Sequence, residues 1–244
     1  MTAIKIENLK KVYKDVVAVD DLCLEIEEGE LFALLGVNGA GKTTTIKMLS
    51  TLSKPTSGDA TILGYSILKD TDKIKEIIDV SMQETAIARK LTVEENIDFY
   101  ARLSGQTKDE IKKTKEYIYS SFGLGQVSKK TASKLSGGWQ RKLSIALALV
   151  TNPKILFLDE PTLGLDVLAR RELWKTIESL KGKMTIILTT HYMEEAEALA
   201  DRIGIMKDGK LFFVGTKEQL FEKTGKQSVE DAFVEIVSGG EYNA

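Results

Sequence analysis

The spacing of hydrophobic residues changes twice along the chain, and these changes predict its architecture. Near the N-terminus, Leu22, Leu24 and Ile26 alternate with polar residues, as in a half-buried strand, and Leu31–Leu35 is a short, wholly apolar run. From about residue 92 to residue 150, apolar residues recur at helical spacing. Strand and helix patterns then alternate again, which is typical of a mostly parallel sheet covered by helices on both faces.

The changes of spacing predict one α/β domain with a helical insertion. We expect residues 1–88 and 152–222 to form the core and residues 89–151 to form a helical subdomain. Asp208-Gly209 lies between two short apolar runs and predicts a β-hairpin. Residues 223–244 would be a short C-terminal tail.

The composition argues against several classes of protein. The chain has 244 residues, 43% of them hydrophobic, which is enough for a buried core. Its longest nearly apolar run, Ile145–Val150, is far shorter than the roughly 18 residues of a membrane span. Cys23 is the single cysteine, and the N-terminus lacks a secretory pattern, so we expect a cytosolic chain. The net charge is −2 without a basic stripe, and nucleic acid is therefore not an expected partner.

The segment Gly36-Val-Asn-Gly-Ala-Gly-Lys-Thr43 matches the phosphate-binding loop pattern and has suitable neighbours. It follows the apolar run Leu31–Leu35 and precedes a pattern that predicts a helix over Thr44–Leu52. In such a loop the backbone N–H groups converge on phosphate oxygens, the lysine reaches the β and γ phosphates, and the threonine hydroxyl faces Mg²⁺. A glycine turn with an exposed lysine is the alternative. The expected nucleotide-binding residues are Gly36, Asn38, Gly39, Ala40, Gly41, Lys42, Thr43 and Thr44.

A second apolar run, Ile155–Leu158, ends in two carboxylates, Asp159 and Glu160. Charges beside so many apolar groups need a cationic partner, and Mg²⁺ would supply one. Because side chains alternate along a strand, we expect Asp159 to point towards Mg²⁺ and Glu160 towards an attacking water. The alternative is a helix N-cap, since Pro161 follows and acidic residues favour helix starts.

The tetrapeptide Leu135-Ser-Gly-Gly138 lies between the phosphate loop and the acidic pair. Ser136, Gly137 and Gly138 stand at the start of a predicted helix and form a second anion-binding helix end. A phosphate loop, an LSGG segment and an acidic strand end, in this order, resemble the ATP-binding cassette (ABC) ATPases. The resemblance implies a P-loop NTPase core with a mostly parallel sheet, an N-terminal antiparallel β part and an inserted α-helical subdomain.

The resemblance also implies roles for residues that no local pattern identifies. Gln83 corresponds to a glutamine that reaches Mg²⁺ and water at the hinge of the helical subdomain. His191, the only histidine, corresponds to a switch histidine that contacts the γ phosphate. Tyr13 would stack on adenine, and an ordinary half-buried strand aromatic is the alternative. The implied catalytic residues are Glu160, His191 and Gln83, and the implied Mg²⁺ ligands are Thr43, Gln83 and Asp159.

In the ABC family each LSGG segment closes over ATP that a second cassette holds. The resemblance thus implies a head-to-tail pair, here expected to be a homodimer, with Leu165-Asp166 crossing between subunits. Hydrolysis would power a separate integral membrane permease, which would place the chain at the cytoplasmic face of the membrane. Similarity to bacterial multidrug, antibiotic and sodium export ATPases favours export of a cargo that the permease selects. Trp139 and Leu163 depart from the family pattern, which usually has a glutamine and a small residue there.

Two other functions compete with transport. A soluble ABC ATPase could act on ribosomes or nucleic acid, although such proteins usually carry two cassettes or a coiled-coil insertion. A P-loop kinase could use Asp159 and Glu160 for phosphate transfer, but the LSGG segment would then have no role.

Overall fold

Two β-sheets form the frame of the computed structural model, which describes residues 1–239. The larger sheet has the strand order β10-β9-β3-β8-β7-β6, and the smaller one has the order β2-β1-β4-β5. The strands are β1 (Thr2–Tyr13), β2 (Val16–Glu27), β3 (Leu31–Leu35), β4 (Ser57–Ile62), β5 (Tyr65–Ser66), β6 (Ile78–Ser81), β7 (Ile155–Asp159), β8 (Thr185–Thr190), β9 (Arg202–Lys207) and β10 (Lys210–Gly215).

Helices cover the sheets and fill the insertion. They are α1 (Lys42–Leu49), α2 (Thr71–Ile77), α3 (Val93–Leu103), α4 (Lys108–Phe122), α5 (Gly137–Ala148), α6 (Val167–Glu178), α7 (Met193–Leu199), α8 (Lys217–Thr224) and α9 (Val229–Ser238), with short 3₁₀ turns at Leu124–Val127 and Ala132–Lys134. Among residues 1–239, no helix is long and apolar enough to cross a membrane.

The strand directions confirm the predicted fold class. In the larger sheet β9, β3, β8, β7 and β6 are parallel, and β10 joins β9 as an antiparallel edge through the predicted Asp208-Gly209 hairpin. The smaller sheet is antiparallel throughout and contains the N-terminal strands. The chain therefore has the mixed α/β arrangement that the sequence predicts.

The buried strand β3 shows why its sequence is wholly apolar. Leu31, Ala33 and Leu35 face the helices of one hydrophobic core. Phe32 and Leu34 face the second core, which lies between the two sheets. Because both faces of the strand are covered, period-two alternation of polar and apolar residues cannot appear there. The phosphate loop that follows β3 is thus anchored at the centre of the larger sheet.

Helix α1 differs from the predicted Thr44–Leu52. It begins two residues earlier, since Gly41 turns into it with φ of 106°. It ends at Leu49 because Thr51 takes a left-handed conformation with φ of 61°, in which a helix cannot continue. Periodicity alone does not reveal either event.

The end of the described chain packs on the core. Leu220 of α8 and Val229 and Phe233 of α9 belong to the larger hydrophobic core. Residues 240–244 of the predicted tail lie outside the described residues. The predicted boundaries at residues 89 and 151 remain predictions, although α3, α4 and α5 all lie between them.

Candidate active site

The phosphate loop fits between β3 and α1 only because two of its glycines lack side chains. A Cβ atom at Gly36 would lie 2.4 Å from the Met206 carbonyl oxygen. At Gly41 it would lie 2.4 Å from the Ala18 carbonyl oxygen, and the positive φ of Gly41 also disfavours other residues. The loop is thus held tightly against β2 and β9.

Lys42 lies at the floor of this loop with 5% of its surface exposed. Its Nζ donates hydrogen bonds to the carbonyl oxygens of Gly36, at 2.7 Å, and Val37, at 3.2 Å. Glu160 Oε1 lies 3.2 Å from the same nitrogen. A buried ammonium group is tolerated here because a carboxylate and two carbonyls surround it. The N–H groups that the Lys42 ammonium donates to these acceptors are the kind of donor that phosphate oxygens accept from.

Glu160 joins the lysine to the single histidine. Its Oε2 lies 2.8 Å from His191 Nδ1, just after the end of β8. The residue itself has φ of 49° and lies beyond the last residue of β7. Its N–H donates to both the carbonyl and the hydroxyl oxygen of Thr189, each at 3.1 Å, which supports a conformation that is rare for a residue with a Cβ.

Asp159 contacts different side chains from Glu160. The expected alternation along one strand does not apply to this pair, because β7 ends at Asp159 and the backbone turns left-handed at Glu160. Asp159 Oδ1 accepts hydrogen bonds from the hydroxyls of Thr43, at 3.0 Å, and Thr189, at 2.6 Å. Its Oδ2 is buried and has no hydrogen-bond partner among residues 1–239. An unpaired carboxylate oxygen beside a threonine hydroxyl suits a hard cation such as Mg²⁺.

A cavity of about 500 Å³ opens above these groups. Two predicted site residues, Gly36 and Asp159, do not line this cavity. Gly36 accepts a hydrogen bond from Lys42 and Asp159 accepts one from Thr43, and both of these donors line it. At the rim, Tyr13 is 44% exposed, and Lys11 Nζ lies 4.8 Å from its ring centroid. The predicted site residues that line the cavity are Tyr13, Asn38, Gly39, Ala40, Gly41, Lys42, Thr43, Thr44, Gln83, Glu160 and His191.

The LSGG residues do not reach this cavity. Ser136 is the N-cap of α5, Gly137 begins the helix, and its neighbours line a separate small cleft. A Cβ at Gly138 would lie 3.0 Å from the Ala169 Cβ, so α5 and α6 approach closely there. Of the two unusual residues, Trp139 packs on the larger core, whereas Leu163 lines the nucleotide cavity.

Several residues of the site have no signal in the sequence. Thr189 bridges Asp159 and Glu160 by hydrogen bonds. In the sequence it is only one of several threonines near a strand end. Tyr192 lies against the His191 ring, with centroids 4.1 Å apart, and the Arg170 guanidinium lies 4.3 Å from the Tyr192 ring. The contacts of Thr189 with Asp159 and Glu160, and of Arg170 with Tyr192, join elements far apart in sequence, which local patterns do not report.

The geometry defines a class of protein. A phosphate loop after a central parallel strand, with an acidic pair at the end of a nearby strand, is characteristic of P-loop NTPases. Over residues 19–163 the chain matches the family model described as ABC transporter (ABC_tran), and it belongs to that family. It is an ABC ATPase.

Individual relatives place the chain within the family. It is 42% identical to phospholipid-transporting ATPase ABCA3 of Homo sapiens over 229 residues, which are 92% of this chain and only 13% of that protein. It is 40% identical to linearmycin resistance ATP-binding protein LnrL of Bacillus subtilis, across 91% of this chain and 72% of LnrL. The chain thus spans a small part of the first relative and most of the second.

Solved structures agree with the fold. A structure of an ATP-binding subunit of an ABC transporter has a TM-score of 0.85 and 28% identity, over 96% of this chain and 99% of that one. A dimeric post-hydrolysis ATP-binding cassette, MJ0796 bound to ADP and Pi, has a TM-score of 0.78 and 26% identity, over 87% of this chain and 98% of that one. ABC cassettes thus bind nucleotide and form pairs.

Proposed function

We propose that this chain binds and hydrolyses ATP to drive a separate membrane-spanning permease, and that the transport direction is export. The observation that carries the hydrolytic part is the buried contact of Lys42, Glu160 and His191 at the floor of the cavity. Glu160 Oε1 faces the lysine and Oε2 faces the histidine. A carboxylate held in this way is well positioned to act on a water beside the terminal phosphate.

In this proposal each residue has a defined task. Lys42 leaves the loop carbonyls and binds the β and γ phosphates, which frees Glu160 to accept a proton from the attacking water. His191 orients the Glu160 carboxylate and stabilises charge on the γ phosphate. Gln83, which lines the same cavity, contacts the water. Tyr13 stacks on the base at the rim.

Mg²⁺ is the cation that the site fits. Asp159 would hold it through the oxygen that lacks a partner, together with the Thr43 hydroxyl and Gln83. When bound, the ion would neutralise part of the charge on the β and γ phosphates.

Two copies of the chain would complete two sites. Ser136, Gly137 and Gly138 lie outside the cavity of their own chain but form a helix start that suits a phosphate. The dimeric MJ0796 cassette supports such a pairing. We propose a head-to-tail homodimer in which each LSGG segment covers the ATP of the other subunit.

The transport part rests on the relatives. LnrL is named for linearmycin resistance and ABCA3 for phospholipid transport, so export through a permease that selects the cargo is the simplest proposal. The chain would then bind at the cytoplasmic face of the membrane.

The decisive experiment is purification of the tagged chain from detergent-solubilised native membranes, with and without ATP, followed by mass spectrometry. A polytopic membrane protein that is enriched in stoichiometric amounts is the expected result. Ribosomal proteins or nucleic-acid factors without a membrane partner would overturn the transport part. ATPase activity of the purified chain tests the hydrolytic part separately.

A further inference from the structure

Arg141 is a buried cation that the proposed ATPase chemistry does not use. It lies on α5, five residues after Ser136, and only 4% of its surface is exposed. Within residues 1–239, no carboxylate group comes within 4.0 Å of its guanidinium nitrogens. Burial lowers the pKa of Arg141 to about 10. A buried charge without a paired carboxylate is costly, so its contacts need an explanation.

All of the hydrogen bonds of this guanidinium go to backbone carbonyl oxygens beside the catalytic residues. Its Nη1 donates to Met82, at 2.6 Å, and to Gln83, at 3.2 Å. Its Nη2 donates to Asp159, at 2.8 Å, and its Nε donates to Pro161, at 2.7 Å. One planar group thus ties the segment after β6 to both sides of the left-handed turn after β7.

This contact gives α5 two functional positions, one at its N-terminus and one near its middle. Its N-terminus carries Ser136, which would face the nucleotide of the second subunit. About one and a half turns later, or roughly 7 Å along the helix axis, Arg141 holds the backbone of Gln83 and brackets Glu160 within its own chain. The rigid guanidinium fork fixes distances and angles that a flexible lysine could not fix.

We propose that Arg141 is a positioning residue that makes Gln83 and the turn at Glu160 follow movements of α5. Engagement of Ser136 by the ATP of one subunit would thereby adjust the catalytic residues beside the ATP of the other. The inference rests on the proposed function, because it requires a paired cassette that hydrolyses ATP. It adds a physical link, one side chain long, between the two sites.

The test is a double-mutant cycle in the full chain, with Ser136→Ala and Arg141→Gln alone and together. Glutamine keeps one donor group but loses the charge and the fork. We expect Arg141→Gln to leave the Kd for ATP within about threefold and to lower kcat roughly tenfold. The decisive expectation is that Ser136→Ala lowers kcat less in the Arg141→Gln background than in the wild type.

Controls separate positioning from stability. Arg102→Gln removes an exposed arginine from α3 and should change neither kcat nor the effect of Ser136→Ala. Arg141→Lys keeps the charge without the guanidinium fork, so its kcat should lie between those of Arg141→Gln and the wild type. If Arg141→Gln does not fold, Arg141→Lys takes its place in the double-mutant cycle. Rates are expressed per molecule that binds ATP. A loss of folded protein therefore does not lower the measured kcat.

Independent, multiplicative effects of the two substitutions would overturn the inference, as would an unchanged kcat in Arg141→Gln. Either result leaves the proposed function intact if the wild type hydrolyses ATP. A wild type that binds ATP without hydrolysing it would instead refute the proposed function.

Discussion

The starts of α1 and α5 are both rich in glycine, yet they lie in very different surroundings. At α1, the left-handed Gly41 leads into Lys42, and the ends of β7 and β8 bring Asp159, Glu160 and His191 alongside. At α5, Ser136 is an extended N-cap whose side chain makes no capping hydrogen bond. In the proposed function, glycine at a helix start would therefore provide phosphate binding, while the neighbouring strand ends would provide the chemistry.

The difference also explains why one chain holds half of each proposed site. Helix α5 begins outside the larger sheet, so no acidic strand end accompanies it. Its own first residues line a cleft with Lys142 of the same helix and Glu172 of α6, and this cleft shares no lining residue with the cavity beside Lys42. The α5 start is proposed to bind an anion, and none of residues 1–239 that line its cleft resembles the pair of Glu160 and His191.

Glu160→Gln should have the largest effect, because it removes the proposed proton acceptor and keeps the shape of the side chain. We expect kcat for ATP hydrolysis to fall at least about a hundredfold, while ATP binding persists and a closed dimer accumulates. Steady-state ATPase assays and light scattering with ATP would measure this. Glu178→Gln, at the exposed end of α6, is the matched control. Full activity in Glu160→Gln would refute the assignment.

Lys42→Ala at the start of α1 and Gly138→Asp at the start of α5 should differ in their effect on ATP binding by the single chain. Lys42→Ala removes a proposed phosphate ligand and the cation beside Glu160 Oε1, so the affinity of the single chain for ATP should fall about tenfold or more. Gly138→Asp adds a negative charge at α5 and crowds Ala169, so it should abolish turnover and leave binding by the single chain unchanged.

Mixing these two inactive variants gives the sharper result. In a head-to-tail pair, one site would combine the intact phosphate loop of the Gly138→Asp chain with the intact LSGG of the Lys42→Ala chain. Recovery of up to about a quarter of wild-type ATPase activity is expected, because half of the random pairs are mixed and each has one intact site. Homodimers of either variant stay inactive, and no recovery in the mixture would contradict the pairing.

His191→Ala should reduce kcat by roughly tenfold to a hundredfold, since Glu160 then loses the contact that orients it. His191→Gln retains a polar group near Glu160 and should lose less. The comparison is made by ATPase assay at equal occupancy by ATP. If both variants matched the wild type, the histidine would have no part in hydrolysis.

The sequence predicts the parts of the molecule in which neighbouring residues act together. The run Leu31–Leu35 and the glycines after it belong to one continuous segment, so strand, loop and helix are evident in order. The left-handed turn at Glu160 and the bridging Thr189 are different, because they depend on β7 and β8 lying side by side. Arg141 looks like its neighbour Lys142 in sequence, and only the packing of α5 shows that one is buried.

The smallest expected effect concerns Glu195, whose carboxyl group is buried on α7. Its Oε1 accepts a hydrogen bond from Trp174 Nε1, at 3.0 Å. Burial, with a smaller contribution from the charge of Glu160, raises the pKa of Glu195 above its ordinary value. The folded state therefore keeps this proton to higher pH than the unfolded state, and stability falls as pH rises between the two pKa values.

Glu195→Gln removes this titration and keeps an oxygen for Trp174. Its melting temperature should match that of the wild type most closely at pH 4, where the carboxyl is protonated in both states. At pH 8 the variant should melt a few degrees higher than the wild type, as measured by circular dichroism without nucleotide. A difference of the opposite sign would mean that the ionised carboxylate stabilises the fold.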